Sequence, residues 1–475
     1  MAETAPAAAR GRREPGIVVA LLPIAVMAAL LGVGYGVYHV KAQILLLAAA
    51  GFSGCVGWAL GYSWSEMLEG IVESIRKAMP AILIMLCVGL LIGAWITCGT
   101  IPMVMYWGLK VISPQYFLVT ACIVCTITAI ATGTSWGTIG TLGVALMGVA
   151  IAQGIPPGPA AGAIVAGAYM GDKMSPFSDI PNLAPIATGS NLFDTLKHMM
   201  WSAVPAWLVG LAIYLVVGLR YGAAAPAGDT LDVVTATLRS HFTFSWLLLL
   251  PMAVVFAFAF AKKPVIPGML LSVAVAGVLA VAVQGTPIPA FATALNTGFV
   301  PATGQATVDR LLGRGGMMSM METQLIAFTA FAFGGIMQRT GLLAVLLARV
   351  MRFARKVWSL VLTTVVAAAT TALVTGSSYL SIIIPGELLS PIYRSKGLAA
   401  KNLARIVVES GGIIVPLVPW SMAGVYITGT IGVPTLSYLP WAFMNYLSVG
   451  VLLLYGATGF TMAPKVRDDE TQIGS

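Results

Sequence analysis

Charge is what this chain has least of. Only 9% of its 475 residues are Asp, Glu, Lys or Arg, while 58% are hydrophobic; a soluble domain would carry about 25% charged residues. That excludes a water-soluble enzyme or binding module and leaves an all-α polytopic membrane protein. At about 20 residues per span, there is room for about ten to fourteen hydrophobic segments. Histidine is nearly missing. With only His39, His198 and His241, the sequence supports no transition-metal centre. The five cysteines (Cys55, Cys87, Cys98, Cys122, Cys125) all fall inside apolar segments. Cys122 and Cys125 have CxxC spacing but lie in lipid-like helical sequence with no histidine nearby, so they read as small buried hydrophobes.

The cations that are present come in patches. The formal net charge is +9, and Lys and Arg gather between apolar runs: Arg10, Arg12 and Arg13; Lys262 and Lys263; Arg349 to Lys356; Arg394 to Arg405. This is the pattern of loops retained on the cytoplasmic side, not of a nucleic-acid surface. The run AARGRRE before the first apolar stretch implies a cytoplasmic N-terminus. That stretch is too long for a signal-peptide core and lacks a small-residue cleavage site, so it reads as a retained span. The expected location is a bacterial-type inner membrane, crossed several times.

One polar stretch stands out against this background, residues 171–185, GDKMSPFSDIPNLAP. It holds Asp172, Asp179, Ser175, Ser178, Asn182 and three prolines, Pro176, Pro181 and Pro185. Three prolines this close cannot share one regular helix, so backbone carbonyls lose their partners. Broken backbone persists in a membrane only where protein buries it or it lines a wet cavity. Acids at such a break mark a cation or proton site, which makes Asp179 and Asp172 the expected coupling residues. Alkali cations prefer hard oxygen ligands, and Ser178, Ser175, Asn182 and the freed carbonyls would supply them. A desolvated carboxylate there can hold a proton or a cation, and competition between the two gives exchange.

Along the chain, residues 64–77 read as an amphipathic helix on the membrane interface, followed by a span over 78–98. A second amphipathic piece over 191–198 precedes a span over 201–219, and residues 222–240 read as the longest central loop. The second half replays the first. The interruption TGTSWGT (132–138) is matched by TGSSYLS (375–381), where 376 − 133 = 243, and Pro176-x-Ser178 by Pro419-x-Ser421, where 419 − 176 = 243. Each half counts seven apolar segments, and an odd count turns the second copy upside down. The expected organisation is a disordered cytoplasmic N-terminus (1–15), a first membrane repeat (16–221), a central loop (222–242), a second inverted repeat (243–460) and a polar tail (461–475).

The two interruptions place Thr132, Thr134 and Ser135, and Thr375, Ser377 and Ser378, at tips between apolar arms. Each pair of arms is either two crossing helices or one re-entrant hairpin. At the 243 offset Asp172 faces Val415 and Asp179 faces Met422, so the second break offers hydroxyls such as Ser421 but no acid. Lys173 is placed to neutralise Asp172. Glu409 follows Arg405 by four residues, a spacing that suits a helical ion pair; standing in an apolar run, it is kept as a secondary coupling candidate, as is Glu387. Glu322, at the start of a span, suits the interface.

At these residues the chain resembles the NhaC-type sodium/proton antiporter family of the broader ion transporter superfamily. The motifs that carry the resemblance are TGTSWGTIGTLG, GAYMGDKMSPFSDIPNLAP, TGSSYLSIIIPGELL and GGIIVPLVPWSMAGVYITGTIGVPTLSYLP, over roughly residues 75–455. The resemblance implies a secondary transporter exchanging sodium or lithium for protons, with inverted repeats, paired re-entrant hairpins and a transport domain that moves against a scaffold like an elevator. On that plan Ser135 and Ser378 lie at hairpin tips, and sodium sits at Asp179, Ser178 and Asn182 of an unwound helix. The family usually reads SDTTNLAP where this chain has Ile180 and Pro181, which removes two hydroxyls beside Asp179. Relatives in the family exchange organic anions such as malate and lactate, the runner-up function.

Residues 133–137 formally match GxSxG, but a nucleophile elbow needs a strand before it and a histidine partner. Both flanks here are apolar helical sequence, so no enzyme is expected. No cofactor is expected either. The expected partners are membrane lipids, Na+ and H+; a homodimer is left open, and no nucleic acid is implied.

Overall fold

The computed structural model describes residues 15–35, 37–223 and 228–464, and among these the regular structure is helical apart from one isolated bridge between Leu398 and Pro464. Among the described residues nine helices are long and apolar enough to cross a membrane, or twelve if each sharply bent pair counts as one span. The N-terminal tail to residue 14 and the C-terminal tail from residue 465 lie outside the described residues.

Three segmentations expected from the sequence are corrected. Residues 64–77 do not form a separate interfacial helix; they open a single 34-residue helix, Trp64–Thr97, about 50 Å long at 1.5 Å per residue. A capping box starts it, with Ser63 accepting from the Glu66 amide and the Glu66 carboxylate from the Ser63 amide. Its polar end docks on the helix Met321–Arg339: Gly70 lies against Gly335, and Glu69 pairs with Arg339 at 2.7 Å. Of its charged residues Glu69 is thus held by a neighbouring helix, while Glu73 pairs with Arg76 and Lys77 of its own helix. Residues 191–219 likewise merge into one helix, Leu192–Ala223, and most of the expected central loop is the helix Gly228–His241.

Two hairpins carry the interruptions. The first has arms Phe117–Thr132 and Ser135–Ala152, turning at Gly133 and Thr134; the second has arms Val357–Thr375 and Ser378–Ser395, turning at Gly376 and Ser377. Both glycines sit in the left-handed region, φ +70 and +62, where a side chain would be strained. The feet of the first hairpin are tied by Gln153 Nε2 donating to the Ile112 carbonyl, and those of the second by Lys396 Nζ donating to the Arg355 carbonyl. The two ties obey the sequence offset, 396 − 153 = 243 and 355 − 112 = 243. The duplication therefore extends to contacts that no motif marks.

Two broken helices thread between the hairpins. The first runs Pro157–Met174, breaks over residues 175–178 and resumes as Asp179–Thr188. Its first part lies along Phe117–Thr132, with Gly167 against Cys122 and Gly171 against Thr126 and Ala129. Its second part lies along the second hairpin, where Ala187 meets Gly386 and Ser390 Oγ donates to the Thr188 carbonyl at 3.3 Å. The second broken helix, Ala400–Leu417 and Met422–Ile431, bends by 46°. It starts on the second hairpin, Gly411 against Ser381. It ends on the first, where Tyr426 donates to the Trp136 carbonyl at 2.6 Å and stacks on the Trp136 ring with centroids 4.3 Å apart. Each broken helix thus begins on one hairpin, breaks at the tips and finishes on the other.

The close pairing along Phe117–Thr132 makes a prediction. A Cβ at Gly171 would run into the Thr126 carbonyl, a backbone atom that cannot swing aside. Gly171→Ala is expected to destabilise the protein by about 1–3 kcal/mol, the usual cost of overpacking, read as a lower thermal midpoint in detergent. An unchanged midpoint would show that the two helices are not packed this closely.

Candidate functional site

The site is assembled by turn chemistry. At the first tip Thr134 Oγ1 accepts from the Gly137 amide at 3.1 Å; at the second Ser377 Oγ accepts from the Leu380 amide at 3.5 Å. Thr132 Oγ1 donates to the Thr128 carbonyl at 2.8 Å and Thr375 Oγ1 to the Thr371 carbonyl at 2.7 Å. At the breaks, Ser178 caps the Ile180 amide and Ser421 the Gly424 amide. Four helices therefore start at one place, and most of the nearby hydroxyls are spent on backbone that the turns leave unpaired.

The remaining hydroxyls and both acids do the rest. Ser135 Oγ donates to Asp172 Oδ2 at 2.6 Å, and Asp172 is only 4% exposed. Ser378 has no acid to meet, because Val415 occupies the matching position. Asp179 is exposed, and its Oδ2 accepts from the hydroxyl of Tyr379 at 3.2 Å. Pro176 lies in the break, Pro181 in the first turn of the following helix and Pro185 inside it. Asn182 Nδ2 donates to the carbonyls of Pro176 and Ser178 at 3.0 and 2.6 Å, and Ser175 Oγ to the Ile130 carbonyl at 2.7 Å.

A cavity of about 1650 Å³ opens over this arrangement. It is lined by Asp172, Asp179 and Ser178, by Thr132, Thr134 and Ser135 of the first tip, and by Thr375, Ser377 and Ser378 of the second. The sequence-derived set is therefore brought together, apart from Ser175, Asn182, Ser421, Glu409 and Glu387, which do not line it. The opposite wall comes from Trp64–Thr97, Met321–Arg339 and a tight turn bearing Lys262 and Lys263. On that wall Glu73 is paired with Arg76 and Lys77 at 2.8 and 3.3 Å. Lys262 Nζ lies 4.4 Å from the ring centroid of Phe177, in the first break.

Two pairings differ from the sequence reading. Lys173 does not neutralise Asp172. Its ammonium reaches Glu409 Oε1 at 3.1 Å and Ser448 Oγ at 2.9 Å, with both members of the ion pair fully buried. Adjacent helical residues do not face each other, so Asp172 and Lys173 point to different neighbours. Glu409 is not paired with Arg405, whose guanidinium donates to Thr461 Oγ1. A π-helical turn over Val408–Gly412 shifts the register on which the four-residue spacing depends. Glu387 is exposed, and Glu322 pairs with Lys41 at 2.7 Å near the surface. Tyr379 was not singled out from sequence, although its place directly after the tip serines could have marked it. Among the described residues no group of three or more His, Cys, Asp or Glu side chains is placed to hold a metal ion.

An all-helical, multi-pass chain with two hairpin tips and two broken helices around an acid-lined cavity is a membrane transporter, and its GxSxG match is a hairpin turn with Ser135 bonded to an acid. The sequence profile of the Na+/H+ antiporter family matches residues 14–179 and 167–460, and the chain belongs to that family of inner-membrane antiporters, which are not enzymes. It is 35% identical to the Na+/H+ antiporter NhaC of Alkalihalophilus pseudofirmus, over 89% of this chain and 90% of the relative. It is 34% identical to the arginine/ornithine antiporter ArcD of Halobacterium salinarum, over 95% and 94%. It is 32% identical to a malate-2H+/Na+-lactate antiporter of Bacillus subtilis, over 88% and 89%.

Proposed function

We propose that the protein exchanges sodium or lithium for protons across the cytoplasmic membrane, with Asp179 alternately protonated and cation-bound and Asp172 its buried companion. One observation carries this reading: both acids and both tips meet in a single cavity where backbone is broken. Asp179 faces that cavity with one carboxylate oxygen left over, and Ser178 lies beside it. Asn182 braces the break from behind, so the cation is assigned to Asp179, Ser178 and nearby carbonyls. The passage of each broken helix from one hairpin to the other supports an inverted pair of repeats. Tips and breaks would then move as one body against the wall of Trp64–Thr97 and Met321–Arg339.

A second reading is exchange of an organic solute. Ile180 lines the cavity where the resembling motif carries a hydroxyl, and the volume far exceeds that of a bare ion. The relatives named for arginine and ornithine or for malate and lactate point the same way. Proteoliposomes with an imposed pH gradient, challenged separately with sodium, lithium, potassium, malate, lactate and arginine, decide between them. Sodium or lithium is expected to dissipate the gradient; a response confined to an organic solute would replace the first reading with the second.

A further inference from the structure

The carboxylate of Asp179 has one hydrogen-bond partner among the described residues, the phenol of Tyr379 at 3.2 Å. The two come from opposite halves of the chain. Asp179 opens the helix Asp179–Thr188, and Tyr379 is the second residue of the helix Ser378–Ser395. Both line the cavity, and Tyr379 is 43% exposed there, so its ring contributes little to a packed interior.

Comparison with the matching position shows what the hydroxyl adds. Trp136 stands where Tyr379 would fall in the first half, 379 − 136 = 243. It too crosses to the other half, stacking on Tyr426 of the second broken helix and accepting that residue's hydroxyl on its carbonyl. The bridge between halves is therefore duplicated, whereas of these two matched residues Tyr379 alone aims a side-chain donor at an acid. The acid is just as one-sided, since Met422 matches Asp179.

We infer that Tyr379 is a positioning residue for Asp179: it holds Oδ2 and so presents Oδ1 to the cavity for the cation. This deepens the exchange proposed above and rests on it. A carboxylate at an open cavity otherwise samples several rotamers. A donor on a stiff ring selects one of them. Because the donor belongs to the second hairpin, the loaded acid is also tied to the other half.

The test is a sodium or lithium titration of exchange by proteoliposomes at fixed pH. Tyr379→Phe removes only the hydroxyl and is expected to raise the KM for the cation about tenfold, with kcat within about twofold of wild type. Tyr379→His restores a donor and is expected to keep KM within about threefold of wild type. A Phe variant with unchanged KM, or with lowered kcat alone, overturns the assignment, as does a His variant as weak as the Phe variant. Should the Phe variant fail to purify as a monodisperse protein, the His variant decides: a KM near wild type upholds the assignment and a tenfold rise overturns it. A wild-type protein that responds to no cation fails the exchange reading itself, a separate outcome.

Discussion

Asp179→Asn is expected to abolish the dissipation of a pH gradient by sodium or lithium while leaving the protein folded. The amide has the same shape and keeps an oxygen for the Tyr379 hydroxyl, so the tip contact at 3.2 Å can persist. What it loses is the charge. A unit charge about 4 Å from a cation, in a medium of effective dielectric about 20, is worth about 4 kcal/mol, close to a thousandfold in affinity. An amide also takes up no proton in the working range, so both branches of the cycle fail together. Because Asp179 is exposed to the cavity, the substitution leaves no unpaired group in the interior, and the thermal midpoint is expected to stay near that of wild type. Exchange at the full rate in the Asn variant would remove Asp179 from the proposed mechanism.

The largest effect on stability is expected at the pair Lys173 and Glu409. Both side chains are completely buried, 3.1 Å apart, and they join the first broken helix to the second. Removing one partner strands the other charge in the interior, which costs about 3–5 kcal/mol. Lys173→Met and Glu409→Met are therefore each expected to unfold at much lower temperature or to be lost on purification. The double variant Lys173→Met/Glu409→Met removes both charges and is expected to recover most of that loss, since apolar replacement of a whole buried pair is often neutral or better. Unfolding of the four proteins in detergent supplies the double-mutant cycle. Single variants as stable as wild type would mean that the two charges are not desolvated together.

The sequence was most readable where it departs from lipid-like composition. The proline-rich break and the two TG-x-S interruptions announced themselves as polar residues in apolar surroundings, and they do line one cavity. The 243-residue offset also reaches the hairpin feet, where two unlike side chains, Gln153 and Lys396, each donate an N–H to the matching carbonyl. Pairings were harder to read. Whether Lys173 meets Asp172 or Glu409 depends on which way a helix faces, and a single π turn beside Glu409 undoes the expected spacing to Arg405. Likewise, a 3.6-residue pattern over 64–77 shows that one face is polar but not whether water or Arg339 covers it. Hydroxyls were over-read for a similar reason. Composition counts Thr132, Thr375 and Asn182 as available oxygen or nitrogen, while the folded chain commits them to its own carbonyls.

The interlaced path of the broken helices has a consequence for how the chain is made. Asp179–Thr188 finds its main partner in Ser378–Ser395, and 378 − 179 = 199 residues separate the two starting points. At about 5–20 residues per second on the ribosome, the earlier segment waits roughly 10–40 s for its neighbour. During that interval a polar, half-unwound stretch sits in the bilayer without its eventual cover. Insertion machinery and membrane proteases therefore meet the proposed cation site at its most vulnerable, before the later half has been translated.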